Sequence, residues 1–240
     1  MRLKVCGLTC TSELRLLAGS PVNMVGLWHG VPDGKADLPL GTLSELAAVA
    51  TERGLEPVLV TLLDDPEQLR AVVAASGIRR VQLHGYTTPR QVAAVRAALP
   101  GVGLVKVLHV RRGKVLEKPF VAAFERAGTD LFLFDSVADD GRIGSTGRPL
   151  DAAAVAPVLE SVRIPFLLAG GLTAAVAGDH GAALRHDGFL GVDVDSGARR
   201  PDGTLAPLLI DGIRHAWSTE RKHRREEHRR EEHRHAVTVG

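Results

Sequence analysis

Two residues with acid–base chemistry follow short apolar runs in this 240-residue chain. Cys6 comes directly after Leu3–Val5, and Asp135 comes directly after Leu131–Phe134. A thiol acts as a base or nucleophile when its surroundings favour the thiolate. A partly desolvated carboxyl group has a raised pKa, which suits it to proton donation. From the residues alone, Cys6 also fits a buried small hydrophobe, and Asp135 a helix cap or a loop hydrogen-bonding group.

Three glycine-containing turns follow later apolar runs. Such turns expose backbone N–H groups, and a helix N-terminus behind them adds a favourable dipole, so together they form an anion site. One glycine pair is weak evidence, but three such turns in successive loops favour phosphate binding. The turns are Gly144, Ser145, Thr146 and Gly147; Gly170 and Gly171; and Asp195, Ser196 and Gly197.

Eight apolar runs alternate with segments whose apolar residues recur every three or four positions. This alternation predicts an α/β fold, a (β/α)8 barrel in a single domain, in which the loops after the strands meet on one face. An open doubly wound sheet is the alternative, although it would usually have fewer strands at this length. The predicted strands are Leu3–Cys6, Met24–Trp28, Pro57–Leu62, Arg80–Leu83, Gly103–Val107, Asp130–Phe134, Pro165–Ala169 and Phe189–Val194.

The clearest predicted helices each begin at a residue that commonly caps a helix N-terminus. They span residues 42–53, 65–75, 88–99 and 151–162, and the predicted capping residues are Thr42, Asp65, Thr88 and Asp151.

Composition excludes several classes of protein. The net charge of +2 is too small to indicate nucleic-acid binding, and the 4% aromatic content provides few stacking platforms for bases. No run reaches the roughly 18 apolar residues that a membrane span needs, and the N-terminus lacks a signal-peptide core. Cys6 and Cys10 are too few for a disulfide framework, so we expect a reduced, cytoplasmic protein.

The composition changes at Ser218, where a charged segment with a five-residue period begins. We therefore predict a barrel domain over residues 1–217 and a frayed helical or disordered tail over 218–240. His223, His228 and His233 recur every five residues and fan out around a helix, which favours a solvated tail over a metal site.

Four motifs resemble those of the phosphoribosylanthranilate isomerase family of tryptophan biosynthesis. They are Lys4–Thr9, Val81–Gly85, Leu168–Leu172 and Val192–Gly197. The resemblance covers about residues 2 to 217. It implies a (β/α)8 barrel that opens an N-aryl 5-phosphoribosylamine and shifts it to an aminodeoxyribulose, with no cofactor or metal. It further implies a phosphorylated small-molecule substrate, no nucleic-acid or membrane partner, and a monomer or homodimer.

The resemblance also assigns roles to individual positions. Asp135 matches the acid that protonates the ring oxygen, and Cys6 matches the base that removes the C2′ proton. The phosphate would lie on the backbone of Gly170, Gly171, Ser196 and Gly197, with Gly144 to Gly147 on the other side. His84, in the fourth-strand motif, and Lys35 complete the expected substrate-binding set.

Two departures from the family pattern concern substrate recognition. The family carries a Ser-x-Arg segment after the second strand whose arginine holds the anthranilate carboxylate, but residues 30–37 contain no arginine and offer Lys35 as the nearest cation. Asp195 stands where the family usually has serine. It should repel the phosphate unless Arg148, Arg199 or Arg200 compensates.

Three functions therefore remain open. The first is the isomerase itself. The second is a relative that acts on a modified anthranilate or another aryl ribosylamine in specialised metabolism. The third is a catalytically silent barrel that serves as a binding or scaffold protein.

Overall fold

Eight parallel strands form a closed barrel in the computed structural model, which describes residues 1–139 and 148–238, with side chains described through Arg230. Each strand pairs with its neighbours in chain order, and Arg2 opposite Gly191 closes the cylinder. The barrel prediction is confirmed and the open sheet is excluded. The strands are β1 (Arg2–Cys6), β2 (Met24–Trp28), β3 (Glu56–Thr61), β4 (Arg80–Leu83), β5 (Gly103–Arg111), β6 (Leu131–Ser136), β7 (Phe166–Leu168) and β8 (Phe189–Val194).

Helices follow the strands and cover the outside of the barrel. A two-residue antiparallel strand, Lys114–Val115, extends the end of β5, and single 3-10 turns occur at Lys118–Phe120, Ala177–His180 and Ser196–Ala198. The helices are α1 (Thr11–Leu17), α2 (Leu40–Glu52), α3 (Pro66–Ser76), α4 (Pro89–Ala98), α5 (Val121–Arg126), α6 (Ala152–Leu159), α7 (Gly181–Arg185) and α8 (Pro207–Thr238).

Three of the four predicted N-caps are confirmed. Asp65 accepts a hydrogen bond from the Gln68 N–H at the start of α3, and the Asp151 side chain accepts the first N–H groups of α6. Thr88 forms a reciprocal capping box with Gln91 at the start of α4. The prediction for Thr42 is wrong, because α2 begins two residues earlier, at Leu40.

The alternation of side chains along each strand separates two apolar layers. Residues such as Leu104 and Phe132 face the helices in the main core. Their neighbours Val105 and Leu133 belong to a second, smaller cluster, which we place inside the barrel. The same alternation carries polar residues into the interior where the strands end, and these are the residues of the candidate site.

The charged segment after Ser218 is part of one continuous helix, α8, that reaches Thr238. The turns of α8 just after Ser218 contact the barrel. The Arg221 guanidinium lies 5.2 Å from the centroid of the Phe189 ring, and Arg225 pairs with Asp187. The helical alternative for this segment agrees with α8, whereas the contacts of Arg221 and Arg225 with the barrel were not predicted. Arginine docks through cation–π contacts and hydrogen bonds, which need no apolar helix face.

Two further findings concern the helices. Arg224 pairs with Glu220 at 2.8 Å, as the four-residue spacing predicts. Among the residues that the structure describes, no helix combines the length and the apolar composition needed to cross a membrane.

Two substitutions test the assignment of the helix N-caps. Asp65→Ala should cost about 1 kcal/mol of stability and lower the Tm by about 2–4 °C, because the Gln68 N–H loses its acceptor. Thr42→Ala is the matched control and should change stability by less than about 0.5 kcal/mol, since Thr42 lies within α2. Thermal unfolding followed by circular dichroism measures both shifts, and equal shifts would contradict the assignment of the caps.

Candidate active site

A pocket lies at the carboxyl ends of the strands, with an empty volume of about 850 Å³ that includes open solvent. It brings together nine of the residues predicted from the sequence: Cys6, Lys35, His84, Asp135, Gly170, Gly171, Asp195, Ser196 and Gly197. Gly144, Ser145, Thr146 and Gly147 lie outside the residues that the structure describes. Apolar residues that include Trp28, Val31, Val60 and Leu62 form another part of the wall.

Cys6 is the last residue of β1 and is buried at the base of the pocket. Its Sγ lies 3.4 Å from Lys4 Nζ and accepts a hydrogen bond from Trp28 Nε1 at 3.2 Å. Gly26 on the adjacent strand leaves room for the sulfur, since a Cβ at that position would lie 2.5 Å from Sγ. Burial raises the pKa of the thiol to about 11, although Lys4 opposes the increase.

Lys4 forms an ion pair with Asp193, a residue of the pocket lining, with 2.6 Å between Nζ and Oδ2. Their side chains are only 1% and 6% exposed. Burial alone would lower the pKa of Lys4, but Asp193 and Cys6 outweigh it and raise the pKa above its usual value. Lys4 is therefore a cation held next to the thiol.

Asp135 lies on β6 and faces the pocket. Burial raises the pKa of its carboxyl group to about 7, and the negative charge of Asp193 adds to the increase. A protonated Asp135 is therefore available near neutral pH. Such a group donates a proton within the pH range in which most enzymes work.

His84 is adjacent to Asp135, with 3.6 Å between Nε2 and Oδ2. Burial, together with the charges of nearby groups, lowers the pKa of His84 well below its usual value, so the ring is neutral. Gln82 Nε2 lies 2.9 Å from His84 Nδ1. When the Gln82 amide donates to Nδ1, the His84 proton resides on Nε2 and points towards Asp135.

The β4–α4 turn that carries His84 is held from β5. Lys106 Nζ donates to the carbonyl of Gly85 at 2.8 Å, and His109 Nε2 donates to the carbonyl of His84 at 3.0 Å. Glu117 holds His109 in turn through contacts to its backbone N–H and its Nδ1. Burial lowers the pKa of Lys106 to about 8.

The loops after β7 and β8 approach other backbone segments closely. Gly170 has a φ of +93°, and a Cβ there would collide with Ser136 Oγ, so only glycine fits. Ser136 Oγ donates to the carbonyl of Arg148, and the Leu150 N–H donates to the carbonyl of Gly170. A Cβ at Gly197 would collide with the Leu172 carbonyl oxygen. Gly170 therefore lets the loop after β7 pack against the end of β6, and Gly197 lets the loop after β8 pack against the loop after β7.

Asp195 is balanced by two cations at the mouth of the pocket. Lys35 Nζ lies 2.8 Å from its Oδ2, and Arg199 Nε lies 2.9 Å from its Oδ1. Arg199 also pairs with Glu13 and donates to the Gly7 carbonyl. The predicted compensation therefore comes from Arg199, with Lys35 as a second cation.

The other two arginines considered from the sequence have different partners. Arg148 pairs with Asp139 at 2.8 Å, and Arg200 donates to Thr204 Oγ1. Lys35 itself is 55% exposed, so it links the loops after β2 and β8 from the solvent side.

Several residues around the site were not singled out from the sequence: Lys4, Gln82, Asp193, Lys106, His109, Glu117 and the Trp28 side chain. Two of them, Lys4 and Gln82, lie two residues before Cys6 and His84, on the same face of β1 and β4. This two-residue spacing is the sequence signal that could have identified Lys4 and Gln82. By contrast, Glu117 reaches His109 only because the chain turns back after β5.

The raised pKa of Asp135 predicts a pH-dependent stability effect. A carboxyl group whose pKa is higher in the folded than in the unfolded state destabilises the protein increasingly as pH rises from about 4 to about 7. Asp135→Asn should therefore stabilise the fold by about 2 kcal/mol more at pH 8 than at pH 5. Urea unfolding at both values measures this. Asp187→Asn, at an exposed carboxylate, is the control, and equal stabilisation by Asp135→Asn at both pH values would contradict the prediction.

Several known proteins are similar to this chain in sequence and in fold. The N-(5'phosphoribosyl)anthranilate (PRA) isomerase family matches residues 41–207. An N-(5'-phosphoribosyl)anthranilate isomerase 2 from Methanosarcina mazei is 31% identical over 219 residues, which cover 90% of this chain and 93% of that protein.

Solved structures agree in fold. An N-(5'-phosphoribosyl)anthranilate isomerase from Pyrococcus furiosus superposes with a TM-score of 0.70 at 19% identity, over 91% of this chain and 99% of that one. A phosphoribosyl anthranilate isomerase in complex with reduced 1-(o-carboxyphenylamino)-1-deoxyribulose 5-phosphate gives a TM-score of 0.67 at 19% identity, with coverages of 91% and 99%. On the extent of the sequence match, this chain belongs to the N-(5'-phosphoribosyl)anthranilate isomerase family.

Proposed function

We propose that this protein is an enzyme of tryptophan biosynthesis that isomerises N-(5-phosphoribosyl)anthranilate to 1-(o-carboxyphenylamino)-1-deoxyribulose 5-phosphate. Family membership supports the reaction. The observation that carries the proposal for this chain is that a thiol, Cys6, and a carboxyl group with a raised pKa, Asp135, line one pocket with the glycine turns.

The first step opens the ribose ring. Asp135 gives its proton to the ring oxygen while the C1′–O bond breaks, and the lone pair of the arylamine nitrogen forms a C1′=N bond. The product of this step is an iminium cation. A protonated carboxyl group is required, and the pKa of about 7 for Asp135 supplies one near neutral pH.

The second step moves a proton from carbon to sulfur. The Cys6 thiolate takes the C2′ proton, the C–H electrons form a C1′=C2′ bond, and the nitrogen becomes neutral. The enol then loses its hydroxyl proton and gains one at C1′, which gives the ketone. No atom is gained or lost overall. The iminium charge next to the sulfur, together with Lys4, favours the thiolate at this stage.

Backbone and side-chain groups are proposed to hold the two ends of the substrate. The N–H groups of Gly170, Gly171, Ser196 and Gly197 suit the phosphate. Lys35 suits the anthranilate carboxylate, but it first has to leave Asp195. Lysine provides a point charge and lacks the two-pronged geometry of an arginine, so it selects less strictly for a planar carboxylate.

This difference favours a second candidate function, the isomerisation of a modified anthranilate or another aryl ribosylamine. The Lys35 loop is the specific observation behind it. Comparison of kcat/KM for phosphoribosylated anthranilate, substituted anthranilates and aniline separates the two candidates. Preference for anthranilate of more than about 100-fold over the other amines would remove the second candidate.

The remaining parts of the proposal concern the setting of the enzyme. We propose a cytoplasmic protein, either monomeric or homodimeric, with a phosphorylated small-molecule substrate and neither nucleic acid nor membrane as a partner. The two cysteines are free thiols, which is consistent with a reducing compartment. The division into a barrel domain over residues 1–217 and a tail over 218–240 is also retained as a proposal.

Steady-state assay of the purified protein with phosphoribosylanthranilate tests the function. Cys6→Ala and Asp135→Asn should each lower kcat by about 10²- to 10⁴-fold, the usual contribution of general acid–base catalysis. Cys10→Ala is the matched control, since Cys10 is exposed and outside the pocket lining. Undetectable turnover by the wild-type protein would refute the proposal, as would activity in both variants equal to that of the wild type.

The pH profile follows from the same two groups. At low pH both are protonated, and one proton has to leave before the thiolate can coexist with protonated Asp135. kcat/KM should therefore rise tenfold per pH unit below about 7 and level off above it. In Asp135→Asn only the thiol titrates, so kcat/KM should lose the break near pH 7 and keep rising tenfold per pH unit towards the thiol pKa of about 11. Because the substrate phosphate titrates near pH 6 in both proteins, this difference isolates Asp135. A break near pH 7 that persists in the variant would exclude Asp135 as its source.

Asp195 provides a test of the phosphate end. Asp195→Ser should lower the KM, and the inhibition constant of inorganic phosphate, by about three- to tenfold, because a carboxylate beside a phosphate dianion repels it. The exposed Asp211 on α8 supplies the control Asp211→Asn. Weaker binding of both substrate and phosphate to Asp195→Ser would show that Asp195 supports the site through Lys35 and Arg199.

A further inference from the structure

We propose that Trp28 is a positioning residue whose indole N–H holds and stabilises the thiolate of Cys6. The inference deepens the proposed function and rests on it, since Cys6 is there the base. It assigns a role to a side chain that the sequence pattern places only within a strand.

The hydrogen bond is fixed by the pairing of two strands. Cys6 on β1 lies opposite Gly26 on β2, so Trp28 ends its strand two residues further towards the pocket. From there its Nε1 reaches Sγ at 3.2 Å. An indole has one polar hydrogen, and in the described structure it is directed at the sulfur.

The indole ring has little freedom to move. Trp28 is 7% exposed and packs with Cys6, Ala36 and Val60 in a small apolar cluster, with Val31 against it. Because the ring is buried in this cluster, the N–H is held in place before the thiol loses its proton. A donor that is already oriented costs no reorganisation when charge develops on the acceptor.

Lys4 alone does not supply this stabilisation. Its Nζ lies 2.6 Å from Asp193 but 3.4 Å from Sγ, so its closest contact is with the carboxylate. Asp193 also places a negative charge near the sulfur, which works against the thiolate. The indole N–H brings a hydrogen bond without a counter-charge, and it approaches from a different strand, so the two donors together fix the position of the sulfur.

The alternative role for Trp28 is to pack as an apolar wall against the aryl ring of the substrate. Trp28→Phe separates the two roles, since phenylalanine keeps an aromatic wall and removes only the N–H. The matched control is Trp217→Phe, because Trp217 is the other tryptophan, is buried beside α7, and donates to the carbonyl of Thr173.

The first measurement is the pH dependence of Cys6 alkylation by iodoacetamide in a Cys10→Ser background, which removes the exposed thiol. Trp28→Phe should raise the apparent pKa of the thiol by about one unit, so that alkylation at a fixed pH below it slows about tenfold. kcat should fall about tenfold while KM changes less than about threefold. Trp217→Phe should leave both the thiol profile and kcat unchanged.

A second measurement uses the tryptophan itself and covers the case in which Trp28→Phe fails to fold. In the Trp217→Phe protein, the remaining tryptophan fluorescence comes from Trp28 and should titrate with the same apparent pKa as the alkylation of Cys6. Cys6→Ser should abolish that titration.

Two results would overturn the inference. One is an unchanged thiol profile in Trp28→Phe, whether or not KM rises. The other is Trp28 fluorescence that does not follow the Cys6 thiol. Because neither measurement requires turnover, a wild-type protein without isomerase activity would refute the proposed function separately from the Trp28–Cys6 interaction.

Discussion

The buried ion pair between Lys4 and Asp193 is the interaction on which the site depends. Its positive end lies beside Cys6, where it favours the thiolate, and its negative end raises the pKa of Asp135. One pair therefore shifts two neighbouring groups towards the protonation states that a base and an acid require. Loss of either partner would leave an unpaired buried charge, which is far more costly than loss of a surface pair.

The barrel places this pair without special local structure. Inward-facing positions are aliphatic on β5 and β6, as at Val105 and Leu133, and become polar only where these strands end. On β1 and β4 the polar positions begin earlier, at Lys4 and Gln82. The same two-residue alternation that builds the core thus carries Cys6, His84 and Asp135 to one face. On β6, for example, the apolar residues that stabilise the barrel precede Asp135, which belongs to the site.

Much of this architecture was accessible from the sequence. Strand positions followed from apolar runs, and three helix starts followed from Asp65, Thr88 and Asp151, because both signals are local. Thr42 misled because a threonine within the first turn resembles a cap, whereas Pro39 precedes the true start of α2.

The contacts that the sequence could not supply are long-range ones. Lys106 and His109 contact the turn that carries His84, although they follow it by more than twenty residues in the sequence. Trp28 likewise lies more than twenty residues after Cys6. Sequence spacing carries no information about such distances until the register of the strands is known. The compensation of Asp195 by Arg199 was foreseeable, since the two residues lie four positions apart.

The direction of α8 determines where the end of this helix lies relative to the pocket. The helix starts after the loop that follows β8, and by Arg221 it has reached Phe189, at the opposite end of the barrel. Its 32 residues extend for about 48 Å, so it projects well past that end. Additions to the carboxyl terminus therefore emerge far from the entrance used by small molecules.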